Sequence, residues 1–219
     1  MKKLISLLSA VLAVCAATTS TSASAQNVAA GEKKVAMCIG CHGIPGYKAS
    51  FPELHQVPKI SGQNAGYIAA ALKAYRVGER KHPTMDSIAA SLSDDDIQNI
   101  AAYYEQLGKG IAQAPHAPAE PSARVKEILA KQACASCHGA DFNKTLTGDY
   151  PKLAGQHADY LSVALKAYQT EGNPRVGRAN GIMVGMAKGL SKQDIQELAQ
   201  YFASLPGDVK TVPQSRTRR

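Results

Sequence analysis

The stretch CIGCHG at 38–43 returns as CASCHG at 134–139, and the chain around it repeats as well. PKISGQNAGYIAAALKAY (58–75) is matched by PKLAGQHADYLSVALKAY (151–168). MDSIAASLSDDDIQNIAAYYEQL (85–107) is matched by MVGMAKGLSKQDIQELAQYFASL (183–205). The offset is 96 at the cysteines, 93 at Pro58 and Pro151, and 98 at Met85 and Met183. A second copy with three residues fewer before its proline and five more before its methionine explains all three values. Such a duplication predicts two domains of one fold. We place them at 26–108 and 123–207, joined by an Ala/Pro-rich linker over 109–122 that has no hydrophobic period.

The local pattern is helical throughout. NAGYIAAALKAY and HADYLSVALKAY carry apolar residues at i, i+3, i+4 and i+7. The last helix of each copy opens on a capping box, Ser93 with Asp96 and Ser191 with Asp194. Gly108 ends the first of these helices and Pro206-Gly207 the second. Nothing alternates as a strand does. The expectation is an all-α fold with three helices per repeat, the first carrying the cysteines at its end.

Residues 1–25 read as a cleaved signal peptide: Lys2 and Lys3, the apolar run LISLLSAVLAVCAA, then the small-x-small site ASA at 23–25. A lipid-bearing Cys15 is disfavoured by the bulky Val14 before it. Loss of Lys2 and Lys3 lowers the formal charge from +8 to +6, and four cysteines remain, all within the two motifs. Three residue-level readings of the motif fail. A disulfide across one helical turn closes too small a loop to contribute much. A thioredoxin-like site needs a strand-rich setting. Four thiols and two imidazoles exceed one zinc shell, at the wrong spacing. Covalent haem fits: two thiols add to the vinyl groups, and the next histidine reaches the iron. Cys38, Cys41, Cys134 and Cys137 are the expected attachment points, with His42 and His138 on the metal and two haem c per chain. Three Phe and no Trp leave each core lean, as a cofactor-filled core would be.

With CxxCH, PK[IL]xGQ, a methionine ahead of LSxxDI and a Tyr-bearing last helix in that order, each repeat resembles a class I cytochrome c domain. The tandem pair behind a leader resembles the di-haem cytochromes of the c4 type. The likeness covers nearly all of 30–207 but not the tail at 208–219, expected to be disordered and basic. It implies methionine as the sixth ligand. Met85 is the only methionine between His42 and the end of the first repeat. The second offers Met183 and Met186. Met183 lies twelve residues before Ile195, as Met85 lies twelve before Ile97, whereas Met186 matches Ile88. Met183 is therefore the expected ligand and Met186 the alternative. His55, His82, His116 and His157 have no counterpart in the other repeat and are assigned surface or capping roles. The resemblance also implies that Pro58 and Pro151 offer carbonyls to the proximal imidazoles, and that the domains face each other about a pseudo-two-fold axis. Tyr67, Tyr75, Tyr160 and Tyr168 have two open readings, near a propionate or within the core.

The implied role is a periplasmic electron carrier between a respiratory-chain donor and a terminal oxidase or reductase, with no catalytic residue. The positive charge suits partners with an acidic docking surface, such as a membrane-bound oxidase or quinol-oxidising complex. Peripheral membrane association is compatible with this; a transmembrane segment in the mature chain and nucleic-acid binding are not expected. The alternatives are a cytochrome subunit of a dehydrogenase complex and a di-haem peroxidase-like enzyme.

Overall fold

The computed structural model of the protein describes residues 26–111 and 117–214. The leader, the middle of the linker with His116, and the Arg-rich end lie outside the described residues. Each repeat contains five helices rather than three. The first has α1 (Val28–Lys34), α2 (Ala36–His42), α3 (Ala65–Arg76), α4 (Pro83–Ala90) and α5 (Asp94–Leu107). The second has α6 (Ala123–Gln132), α7 (Ala135–His138), α8 (Ala158–Tyr168), α9 (Gly181–Ala187) and α10 (Lys192–Ser204). No helix among the described residues is long and apolar enough to cross a membrane.

Both capping boxes form as expected. Ser93 Oγ accepts the Asp96 N–H at 3.1 Å, and the Asp96 carboxylate accepts the Ser93 N–H at 3.2 Å. Ser191 and Asp194 repeat this at 3.1 and 3.0 Å. Asp194 has a second task. Its carboxylate accepts two hydrogen bonds from the Arg124 guanidinium, at 2.7 and 3.0 Å, which tie α10 to α6. In the first repeat α1 crosses α5 so closely that a Cβ on Gly31 would lie 2.1 Å from the Asn99 carbonyl oxygen. Each repeat closes around its last helix: Ile97, Ile100 and Tyr104 are buried in the first, and Ile195, Leu198 and Phe202 in the second.

Four two-residue strands complete the described fold. β1 (Lys48–Ala49) and β2 (His55–Gln56) pair within the first repeat. β3 (Arg80–Lys81) and β4 (Gly177–Arg178) pair antiparallel between the repeats, with Arg80 opposite Arg178. The two arginines differ by 98 residues, the offset of the methionines, so each faces its own counterpart. An antiparallel pair of equivalent residues sits on a two-fold axis. Nearby bonds obey the same symmetry. Gln63 accepts the backbone N–H of Lys152 at 2.9 Å and donates to its carbonyl at 3.0 Å. Gln156, its counterpart, does the same with Lys59, both at 2.9 Å.

The tail differs from expectation through residue 214. Lys210 exchanges backbone hydrogen bonds with Ser61 at 2.8 and 3.2 Å, Val209 is fully buried, and Gln214 accepts the Tyr103 hydroxyl proton at 2.9 Å. The second repeat thus returns over the first. Its polar and basic composition concealed one buried valine and a backbone bridge.

Candidate functional site

Each motif sits where a short helix ends. Cys38, Cys41 and His42 lie on α2. In the second repeat Cys134 is the N-cap of α7, and Cys137 and His138 follow on it. The four motif cysteines are half-buried and form no disulfide. Burial pushes the Cys38 thiol up to about 11 and raises that of Cys134, so both are protonated at neutral pH. The histidines are oriented alike. His42 Nδ1 is 2.8 Å from the Pro58 carbonyl oxygen, and His138 Nδ1 is 2.9 Å from that of Pro151. A carbonyl only accepts, so Nδ1 carries the proton and Nε2 keeps its lone pair. Burial lowers both imidazole pKa values, partly offset by those carbonyls; Arg80 and His82 lower that of His42 further. Both rings are therefore neutral at pH 7, the state a metal requires of an imidazole.

Met85 is half-buried against the first core, alongside Cys38 and Ile39. It lies on α4. Met183 lies on α9 and is half-buried; Met186, one turn on, is 38% exposed. The remaining histidines divide. His55 departs from its surface assignment: it is 5% exposed, its Nδ1 is 2.8 Å from the Glu53 carbonyl, and its ring stacks on Tyr160 of the other repeat. His82 and His157 occupy N-cap positions without making a side-chain cap.

The tyrosines meet two arginines between the repeats. The Arg80 guanidinium donates to the Tyr67 hydroxyl at 3.0 Å and the Tyr160 hydroxyl at 2.8 Å, and stands 4.6 Å from the centroid of Tyr75. Arg178 donates to Tyr160 at 3.2 Å and lies over Tyr168. Burial pushes the Tyr67 phenol up to about 12. Tyr160 goes the other way: burial would raise it, but Arg178 and Arg80 together outweigh that and hold it down. Among the described ion pairs neither guanidinium has a carboxylate partner, and Arg80 Nε is buried with no hydrogen bond. Two like charges sheltered together are costly unless anions join them. Haem brings propionate carboxylates, and its thioether and imidazole bonds suit the donor set of each repeat. The residues fit the group. Sequence reasoning passed over Arg80 and Arg178, although each stands five residues before its methionine.

The cytochrome c family model matches residues 28–108 and 122–206. Cytochrome c4 of Stutzerimonas stutzeri is 31% identical over 195 residues, covering 83% of this chain and 90% of that protein. The thiosulfate dehydrogenase electron acceptor of Stutzerimonas stutzeri strain A1501 is 31% identical over 180 residues, 77% of this chain and 78% of that one. The crystal structure of reduced recombinant cytochrome c4 from Pseudomonas stutzeri superposes with a TM-score of 0.62 at 31% identity, covering 83% of this chain and all of that one.

Proposed function

The chain belongs to the cytochrome c family, as a di-haem protein of the c4 type with two covalently bound haem c, and on that premise we propose that it is an exported, periplasmic electron carrier. Residues 1–25 direct export and are removed. Cys38 with Cys41 and Cys134 with Cys137 would hold the two groups, and His42, His138, Met85 and Met183 would be the iron ligands. When bound, haem c supplies a one-electron iron couple. The chain's own work is positional. The Pro58 and Pro151 carbonyls fix each imidazole's tautomer and orientation and raise its basicity. A thioether ligand would favour the reduced metal and a comparatively high potential. With a histidine and a methionine of each repeat given to the iron, the chain would offer the metal no place for a substrate.

The observation that carries this reading is the pair of neutral imidazoles, each with Nδ1 on a prolyl carbonyl directly after two thiols. The purified protein should exceed the mass of the processed chain by two haems and keep its colour through acid–acetone extraction. Carbon monoxide should leave its reduced spectrum unchanged, and it should not consume peroxide. Carbon monoxide binding at one haem would overturn the assignment of that methionine.

A second reading draws on the likeness to a thiosulfate dehydrogenase electron acceptor, nearly as extensive as that to cytochrome c4. In it the chain takes electrons from one dehydrogenase as its dedicated subunit. Co-purification of a stoichiometric dehydrogenase from the native source favours the subunit; reduction by several unrelated donors favours the free carrier.

A further inference from the structure

His82 and Asn180 stand at the same place in the two repeats, three residues before the methionine. They are put to different uses. The Asn180 side chain accepts the Met183 N–H at 3.1 Å and caps α9. The His82 side chain caps nothing. The Asp86 carboxylate accepts the His82 backbone N–H at 3.1 and 3.2 Å. The ring is edge-on to Phe51 with centroids 5.7 Å apart, and its Nε2 is 3.3 Å from the Phe51 carbonyl oxygen. A carbonyl only accepts, so Nε2 holds the proton of the neutral ring. Nδ1 is then a bare lone pair. It is buried and has no hydrogen-bond partner.

Such an acceptor is costly unless something pairs with it. A second proton turns Nδ1 into a donor, and a carboxylate beside it would hold that proton. The titratable and charged neighbours are Asp86 on α4, His55 on β2, His42 on α2 and Arg80 on β3. Burial and His55 disfavour a charged ring; the Phe51 carbonyl and Asp86 favour it. Asp86 already serves the backbone N–H of His82. The carboxylate still wanting is of the kind a haem propionate provides.

We propose that His82 couples a proton to the electron in the first domain, by pairing its Nδ1 with a propionate carboxylate of that domain's haem. This rests on the carrier reading and on the haem assigned to His42. One electron arrives from the donor protein and one proton from solvent binds Nδ1; on re-oxidation both leave, and the charge at this end is unchanged. Asn180 cannot titrate. The second domain therefore has no counterpart of this coupling.

The test is a potentiometric titration of the two-haem protein from about pH 5 to 8, the range in which histidine changes charge. One potential should fall more steeply with rising pH than the other. His82→Asn, which installs the residue type of the second repeat, should remove that difference. In the unmodified protein, NMR titration of the His82 ring should give a higher pKa in the reduced state than in the oxidised one. Equal slopes in the unmodified protein, a difference that survives His82→Asn, or one pKa in both states overturns the proposal. Each of those results leaves the carrier reading intact, whereas a protein without haem would yield no potential at all.

Discussion

A prolyl carbonyl opposite Nδ1 decides which nitrogen of a neutral imidazole stays free, so the geometry at His42 and His138 does its selecting before any metal arrives. The distal side depends on which sulfur is sheltered. Met85 and Met183 are half-buried, whereas Met186 is 38% exposed. Oxidised protein should show the weak near-infrared band of thioether-bound haem iron. Met85→Ala and Met183→Ala should each remove about half of it, one of two equal sites, and Met186→Ala should leave it unchanged. Loss of the band in Met186→Ala alone would transfer the ligand role one helical turn along α9. The sequence favours the same sulfur, because the spacing to the last helix is the same in both copies. The burial of His55 was not: its shelter comes partly from Tyr160, 105 residues away, and no local pattern records such a neighbour.

At the scale of single elements, α10 hangs on one carboxylate. Asp194 completes the capping box and also holds Arg124 of α6 in a two-pronged bond. Asp194→Ala should lower unfolding free energy by about 2 kcal/mol, from a lost cap contact and charge-assisted hydrogen bonds. Chemical denaturation monitored by circular dichroism would measure it. The hydrogen bonds from Arg124, with those from Ser191, hold the Asp194 carboxyl well below the usual carboxylate range. A depressed acid stabilises the fold above its unfolded pKa of about 4, and that stabilisation fades as pH falls below it. The variant should therefore lose less stability than the parent between about pH 4 and pH 2. An identical acid dependence in both would refute the link. Caps of this kind are readable because Ser and Asp stand three residues apart in the chain. Of the four helices that escaped, α1, α4 and α9 have seven or eight residues, barely two turns and too few for a period to emerge, while α6 has ten.

At the scale of the whole molecule, the repeats told which residues are equivalent but not which ones meet. Gly66 is one that does. A Cβ there would lie 2.7 Å from Asp149 Oδ1 and 2.8 Å from the Gly148 carbonyl oxygen, which itself accepts the Tyr67 N–H at 2.9 Å. Gly66→Ala should part the repeats locally, read as faster hydrogen exchange at the Tyr67 amide, with both haem spectra kept. Unchanged exchange would mean that the contact gives way without cost. Charge acts over longer distances: a processed chain at +6 should meet an acidic partner more slowly as salt rises, with screening set by a Debye length of about 10 Å at 0.1 M. A salt-independent rate would remove electrostatic steering from the account. The paired glutamines carry a further consequence. Gln63 grips Lys152 while its counterpart Gln156 grips Lys59, which is how two identical subunits hold one another in an isologous dimer. The contact surface is of the isologous kind that two separate chains form without a covalent tether. Protease cut once within 112–116, the molecule should still migrate as one particle, its halves parting only in denaturant.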